Sequence, residues 1–425
     1  MSLNGVDAPF VFSDRYTVLL NPSIAGDWNL RGVLLFNIAR PVLNLSYAID
    51  SRIWGISSFG FHTTNVLLHI TAVALFYGWC TRALSDVASA RPAAIEWPAF
   101  VAAAVFAVHP AMSGAVAYVS ARSELLAAIG VFACLTCARR AILVRTTRAA
   151  AMAIACGALA IGSSSSAAAL PLIVLAYDAW VLRENGWRRR CKTIYAPLAV
   201  VVLVAAVTQV LRTRAVSPRN IFQTVVAQGT IVCRYLGMLV MPRETPLLYD
   251  ATVIDRVSAI GLVLLAVIGA AVWYAVRTRD ARPLVAFGVC WFVAVLAPTA
   301  ILPFQNPMGE HRLYLASAGL WLAAASMLAD TLTRRASARA VAAVVILLLG
   351  ARTYQRNRDW FDPLPLWRAS VERAPGSWLA HRELAEVLRD AGICVGAEEE
   401  FRRTRELNPR FVDRQSHTTR CEASK

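Results

Sequence analysis

The sequence predicts an all-α polytopic transmembrane bundle of about ten spans, followed by a tetratricopeptide-like helical tail. Three observations lead there. Of the 425 residues, 57% are hydrophobic and only 16% charged, against about 25% charged in an ordinary soluble domain, so lipid is the expected solvent. The formal charge of +16 comes in short arginine clusters between apolar segments, not along one face. The pattern turns abruptly to charged amphipathic helix after residue 352.

The spans are read from the apolar runs. They cover residues 61–80, 97–117, 125–138, 149–162, 167–181, 194–210, 257–276, 284–302, 313–328 and 340–351. The shorter ones need flanking residues to cross ~30 Å of hydrocarbon. The run 225–241, interrupted by Arg234, reads as an interfacial or re-entrant helix. Residues 1–58 hold no signal peptide and no opening span, and form an outer loop. Alternating the spans places Arg139, Arg140, Arg145 and Arg148, then Arg183, Arg188, Arg189, Arg190 and Lys192, on one side. Arg277, Arg279, Arg282, Arg334, Arg335 and Arg339 fall there too. The positive-inside rule makes that side cytoplasmic. The polar stretches 1–58, 118–122, 163–166, 211–256 and 303–312 then lie outside, with the tail. This predicts a multi-pass protein of the cytoplasmic (inner) membrane with an outer, periplasmic tail. Clustered loop arginines also argue against a nucleic-acid partner.

The domain reading is an outer loop over 1–58, a transmembrane domain over 59–352, a helical tail over 353–410 and a disordered end over 411–425. In the tail, Pro375 and Pro409 stand 34 residues apart, the tetratricopeptide period. Leu384, Ala385 and Leu388, then Gly392, then Ala397 and Phe401, fall on the repeat positions. Nine cysteines are scattered. Cys134 and Cys137 lie within a lipid-length helix, which suits small buried side chains better than metal or redox chemistry.

Ionisable residues at the outer ends of spans are the candidate site, because lipid makes them costly. They are Asp14, Arg40, Arg122 with Glu124, His109 beside Pro110, Tyr249 with Asp250, and Glu310-His311-Arg312. Each also has a structural reading. Asp14 suits a turn or cap, Arg122 and Glu124 an interfacial ion pair, and His109-Pro110 a kink with a satisfied histidine. Moving a sugar from a lipid phosphate to a hydroxyl needs a base for the acceptor and cations for the leaving phosphate. One carboxylate and one or two arginines at the outer surface meet that need, since the guanidinium fork binds phosphate bidentately.

Ordered motifs add a resemblance. The stretch 10–24, FVFSDRYTVLLNPSI, is followed by Arg40-Pro41-Val42-Leu43-Asn44, Gly60-Phe61-His62 with Asn65 and His69, and His109-Pro110. Then come Ser120-Ala121-Arg122-Ser123-Glu124, Leu170-Pro171-Leu172, Tyr177-Asp178 and Glu310-His311-Arg312-Leu313-Tyr314. In this order they resemble the tetratricopeptide-carrying transmembrane O-mannosyltransferase-like proteins of the GT-C glycosyltransferase superfamily. The resemblance implies transfer of a sugar, mannose by analogy, from a polyprenyl-phosphate donor to a protein or envelope acceptor on the outer face. It makes Asp14 the catalytic carboxylate and Arg122 and Arg312 the donor-phosphate clamp, with Arg40, His109, Glu124, Glu310 and His311 shaping the site. It leaves a divalent metal as an option without a dedicated cage, and gives the tail a protein partner or acceptor.

Departures open an alternative. The family's paired acids read Ser13-Asp14, its S-K-E element is Ser163-Ser164-Ser165, and Met112 and Gly114 replace a histidine and a glutamate. The alternative is an inactive relative acting as a membrane scaffold through its tail. A transporter ranks third, because neither mid-membrane charges nor an internal repeat are evident.

Overall fold

The computed structural model describes residues 8–26, 28–87, 93–213, 221–242, 259–301, 308–409 and 411. Among these the secondary structure is helical, without strands. Seven helices are long and apolar enough to cross a membrane: Ser58–Val87, Val119–Leu143, Ser165–Leu182, Trp187–Val210, Ala259–Arg277, Glu310–Arg334 and Ala336–Arg358. An eighth is the pair Ile95–Val108 and Pro110–Ala117, bent by 58°. Thr147–Ile161 and Pro283–Pro298 are shorter apolar helices. Each expected span therefore meets an apolar helix, eight of full length and two short. The Ile221–Val240 helix is not among the candidate spans.

Aromatic packing and close backbone contact hold the bundle together. Phe106 lies 5.1 Å from Phe76 and 4.8 Å from Tyr314 between ring centres, which joins three spans. Trp79, Trp291 and Tyr314 are almost wholly buried. Gly288 and Gly319 let the Pro283–Ile301 and Leu313–Arg334 helices touch backbone to backbone, since a Cβ on either would collide with the other's carbonyl. Lipid supplies little hydrophobic drive between spans, so such close approach is a main source of their association.

The two ends of the bundle differ. At the arginine-rich end, short turns are tied by Arg139 to Asp86 at 2.5 Å, Arg183 to Asp280 at 2.7 Å, and Arg189 to the Arg145 carbonyl at 2.6 Å. At the other end lies a helical cap. Asn21 caps Pro22–Ala25, Asn29 caps Leu30–Phe36, and Pro41 opens Pro41–Trp54. These placements use side-chain caps and proline at the first helical position. Leu35, Phe36, Ile49, Ile53 and Trp54 remain exposed, as suits helices lying in a membrane interface.

The tail folds as three helices, Pro363–Arg373, Trp378–Asp390 and Cys394–Leu407, capped by Asp362 and Ser377 at the first two starts. Gly392, at φ 77°, makes the last turn, a conformation glycine reaches without a Cβ penalty. Trp367, Ala380, Leu384, Leu388 and Ala397 form its core. It is seated on the cap: Phe12 meets Trp367 at 5.7 Å, and Ala8 and Val11 pack with Tyr118, Trp360 and Leu366. Arg15 reaches Asp390 at 3.4 Å and Glu386 at 3.8 Å. Tail, cap and the polar turns 109–121 and 308–312 thus share one end. The last span runs to Arg358, beyond the expected 351. Tyr249, Asp250 and residues 412–425 lie outside the described residues.

Candidate active site

Asp14 sits in the turn where the cap enters the bundle. It is 0% exposed. Its Oδ1 accepts the Ser120 amide at 2.7 Å and the Ser120 hydroxyl at 2.5 Å, and Oδ2 accepts the Val11 amide at 3.2 Å. Burial lifts its carboxyl to about 6, against the lowering effect of the Ser120 and Val11 hydrogen bonds. Ser120 itself is partly exposed, and its hydroxyl also meets Thr17 Oγ1 at 2.7 Å. The neighbouring Ser13 is partly exposed and its hydroxyl meets the Tyr118 phenol.

Arg122 opens the Arg122–Leu143 helix and is 0% exposed. Nε donates to Asn65 Oδ1 at 2.7 Å, Nη2 to the Phe61 carbonyl at 2.9 Å, and Nη1 to the Ser46 carbonyl and hydroxyl at 3.4 Å each. Nη2 also pairs with Asp50 at 2.6 Å. The guanidinium lies over the Tyr47 and Phe61 rings at 5.0 and 5.3 Å. A guanidinium has five N–H groups in a fixed fork, and all three nitrogens of this one are engaged within the protein.

Glu124, two residues along, is also buried. Oε1 accepts the Ser164 hydroxyl at 2.7 Å and the Ser166 hydroxyl at 3.1 Å, while Oε2 has no hydrogen-bond partner among the described residues. Ser164, from the serine run, and Ser166 thus give this carboxylate hydrogen bonds but no compensating charge. The charges acting on Glu124 are Arg40 and Arg312. Both are only partly buried. Arg40 also acts on His311, and with Asp14 and Arg122 on Tyr47. Asp14, Arg40, Glu124, His311 and Arg312 are thus linked through charge at the tail-bearing end, by way of Tyr47 and Glu124.

The remaining two are placed beside them. Glu310 is buried and pairs with Arg356 at 3.3 Å, which pairs in turn with Asp359 at 3.1 Å. A Cβ at Gly114 would come within 3.3 Å of Glu310 Oε2, so the family's glutamate would there face a second carboxylate. His109 sits at the 58° bend, with Nδ1 accepting from the Ala111 amide at 3.2 Å and Nε2 at 3.0 Å from the Leu239 carbonyl. Both ring nitrogens are engaged, which matches its structural reading as a satisfied histidine at a kink.

Sequence reasoning missed Ser120, Tyr118, Asp50, Ser166, Tyr235 and Arg356. Tyr235 bridges to Gly309 through both backbone groups, at 3.0 Å to the carbonyl and 3.1 Å from the amide, and so fixes the turn before Glu310. Its partner lies 74 residues on, and spacing gives no signal for such contacts. Among the described residues no three His, Cys, Asp or Glu side chains converge to hold a metal. Asp14 has both oxygens engaged and the charges acting on Glu124 are cationic, so this donor set does not fit a divalent cation.

Comparison with known proteins agrees with the motif order. A protein O-mannosyl-transferase of Caenorhabditis elegans is 23% identical over 440 residues, covering 96% of this chain and 61% of that protein. The Drosophila melanogaster protein O-mannosyl-transferases Tmtc2 and Tmtc3 are 32% and 31% identical over 30% and 27% of this chain, and 14% of each of theirs. The chain thus spans about three fifths of the length of the worm relative. No family model and no solved structure matches it. The chain is thus similar to the tetratricopeptide-carrying transmembrane protein O-mannosyl-transferases, along nearly all of its length to the worm protein and over about 30% of it to the fly proteins.

Proposed function

We propose that the tail-bearing end carries a sugar-transfer site, in which Arg40 and Arg312 hold the phosphate of a polyprenyl-phosphate mannose. The observation that carries this reading is the convergence of these two partly exposed cations on Glu124. A phosphate leaving group develops charge as the bond to the sugar breaks, and fixed guanidiniums stabilise that charge. The acceptor is a protein hydroxyl, in keeping with the relatives' names. Its oxygen attacks the anomeric carbon, the carbon–oxygen bond to phosphate breaks, and the phosphate leaves with the electron pair. The acceptor proton passes to Ser120 Oγ, whose own proton passes to Asp14 Oδ1. A carboxyl lifted to about 6 is suited to that task near neutral pH. Arg122 is assigned to positioning: it fixes Tyr47, Phe61 and Asp50 beneath the site. Glu124 and His311 orient the two cations, and Glu310 and His109 brace the turns. We place the protein in the cytoplasmic membrane with the tail outside, where the tail's free surface meets the protein partner or acceptor.

A second reading, the inactive scaffold, is favoured by one observation. The position where the family has its first acid is Ser13, and its hydroxyl is turned to Tyr118. The test is transfer from labelled polyprenyl-phosphate mannose in membranes. The enzyme reading expects activity that Asp14→Asn and Arg312→Gln abolish at normal expression. Activity found only after Ser13→Asp would establish the scaffold reading in its place.

A further inference from the structure

At the arginine-rich end, a pocket of about 350 Å³ opens between the Arg122–Leu143, Thr147–Ile161 and Trp187–Val210 helices. We propose that it binds the phosphate headgroup of an anionic membrane lipid. Arg145, Arg189, Arg190 and Lys192 line it and no carboxylate does. Arg190 is committed to the wall: it pairs with Asp178 at 2.6 Å and donates to the Glu184 and Asn185 carbonyls. Arg189 gives one N–H to the Arg145 carbonyl at 2.6 Å. Arg145 and Lys192 make no side-chain hydrogen bond or ion pair among the described residues, and both are exposed. Their charge is therefore available to a ligand.

Two further features sharpen the site. Thr146 and Thr147 line the pocket at the start of the Thr147–Ile161 helix, and no side chain caps that helix. Its first amides carry the positive end of the helix dipole, which favours an anion. Arg145 holds a left-handed backbone at φ 58°, which a non-glycine residue adopts at a cost. The turn that brings Arg145 to the pocket is thus a constrained one.

The apolar floor distinguishes a lipid from a soluble anion. Ala150, Ile154 and Pro197 form it. Below it the Trp187–Val210 helix is only 17% buried, with Val200, Leu203, Val204 and Val207 exposed toward the bilayer. Acyl chains can lie along that face while the headgroup enters the pocket. Trp187, half exposed and 5.5 Å from Tyr195, stands at the rim, as aromatic residues do at the headgroup level. Basic pockets between spans are a recurrent way of holding anionic headgroups.

The test uses the purified full-length chain in neutral detergent, titrated with short-chain phosphatidylglycerol, phosphatidylcholine or inorganic phosphate while the thermal midpoint is followed. Phosphatidylglycerol should raise the midpoint by mass action, and the other two should not. Arg145→Gln with Lys192→Gln should weaken the phosphatidylglycerol response about tenfold or more. Arg277→Gln with Arg334→Gln, on the same face outside the pocket, should leave it unchanged. Arg145→Lys with Lys192→Arg should retain it, which separates lost charge from lost folding. An equal loss in the control pair would reduce the effect to general surface charge and overturn the proposal. So would an equal response to inorganic phosphate, or none to phosphatidylglycerol in the unmodified chain.

Discussion

Arg122 and Arg312 both stand at tail-side ends of spans, in motifs that read alike, yet the fold uses them differently. Arg122 is enclosed by Asn65, Phe61, Ser46 and Asp50 and lies against two aromatic rings. Arg312 and Arg40 are partly exposed, and their charge acts on Glu124, whose Oε2 accepts no hydrogen bond among the described residues. The first region is a closed polar network that fixes the cap to the bundle. The second carries two cations whose charge acts on Glu124. Both stand at the same end of the bundle. What separates them is exposure: Arg122 is wholly buried, and Arg40 and Arg312 are partly exposed.

The largest effect should come from breaking the closed network. Arg122→Ala leaves Asp50, only 3% exposed, without its cation, and a stranded buried charge costs about 3–5 kcal/mol. Thermal unfolding in detergent should show that loss, and Asp50→Asn added to it should recover part. If Arg122→Ala left the midpoint unchanged and abolished only transfer, the division between the regions would fail.

Next, the open cluster should matter to chemistry and little to folding. Arg40→Gln and Arg312→Gln should each lower kcat by about a hundredfold or more, with midpoints near that of the unmodified chain. An unfolding shift as large as that of Arg122→Ala would merge the two regions into one structural network.

The third prediction concerns pH. The Asp14 carboxyl is raised from 3.8 to about 6 in the folded chain, so the folded state holds that proton more tightly than the unfolded one. The associated stability is fully present below about pH 4 and is lost as pH rises through about 6. Relative to Asp14→Asn, the unmodified chain should therefore weaken across that window, by up to about 3 kcal/mol. A constant difference between the two melting curves would mean that Asp14 titrates normally.

The smallest effect belongs to the tail. Arg15→Ala removes a 3.4 Å pair to the exposed Asp390 and a 3.8 Å pair to Glu386 from a guanidinium that is itself partly exposed, worth about 0.2–1 kcal/mol. The Phe12–Trp367 and Val11–Trp360 packing remains. Protease cleavage of the tail should hardly change, whereas Phe12→Ala should speed it.

Much of this was legible in the sequence. Ten apolar runs became ten apolar helices, because lipid leaves few other structures open to such segments. In the tail, Leu384, Leu388 and Ala397 share one core and Gly392 makes the turn. For the candidate site, the motifs fall at one end of the molecule, and their partners within it could not be read from them. Whether Arg122 is committed depends on Asp50 and Ser46, which precede it by 72 and 76 residues, and on a helix in the cap. The hydrogen bonds that Glu124 accepts come from Ser164 and Ser166, about forty residues on. Such partners are set by tertiary packing, and neither periodicity nor spacing carries them.

The most direct test of the central claim is mannose transfer from labelled polyprenyl-phosphate mannose in membranes, comparing the unmodified chain with Arg312→Gln at matched folded amounts. The account predicts transfer by the unmodified chain and a loss of about a hundredfold or more in the variant. Equal transfer by both would contradict it, and so would transfer that appears only when Ser13→Asp is introduced.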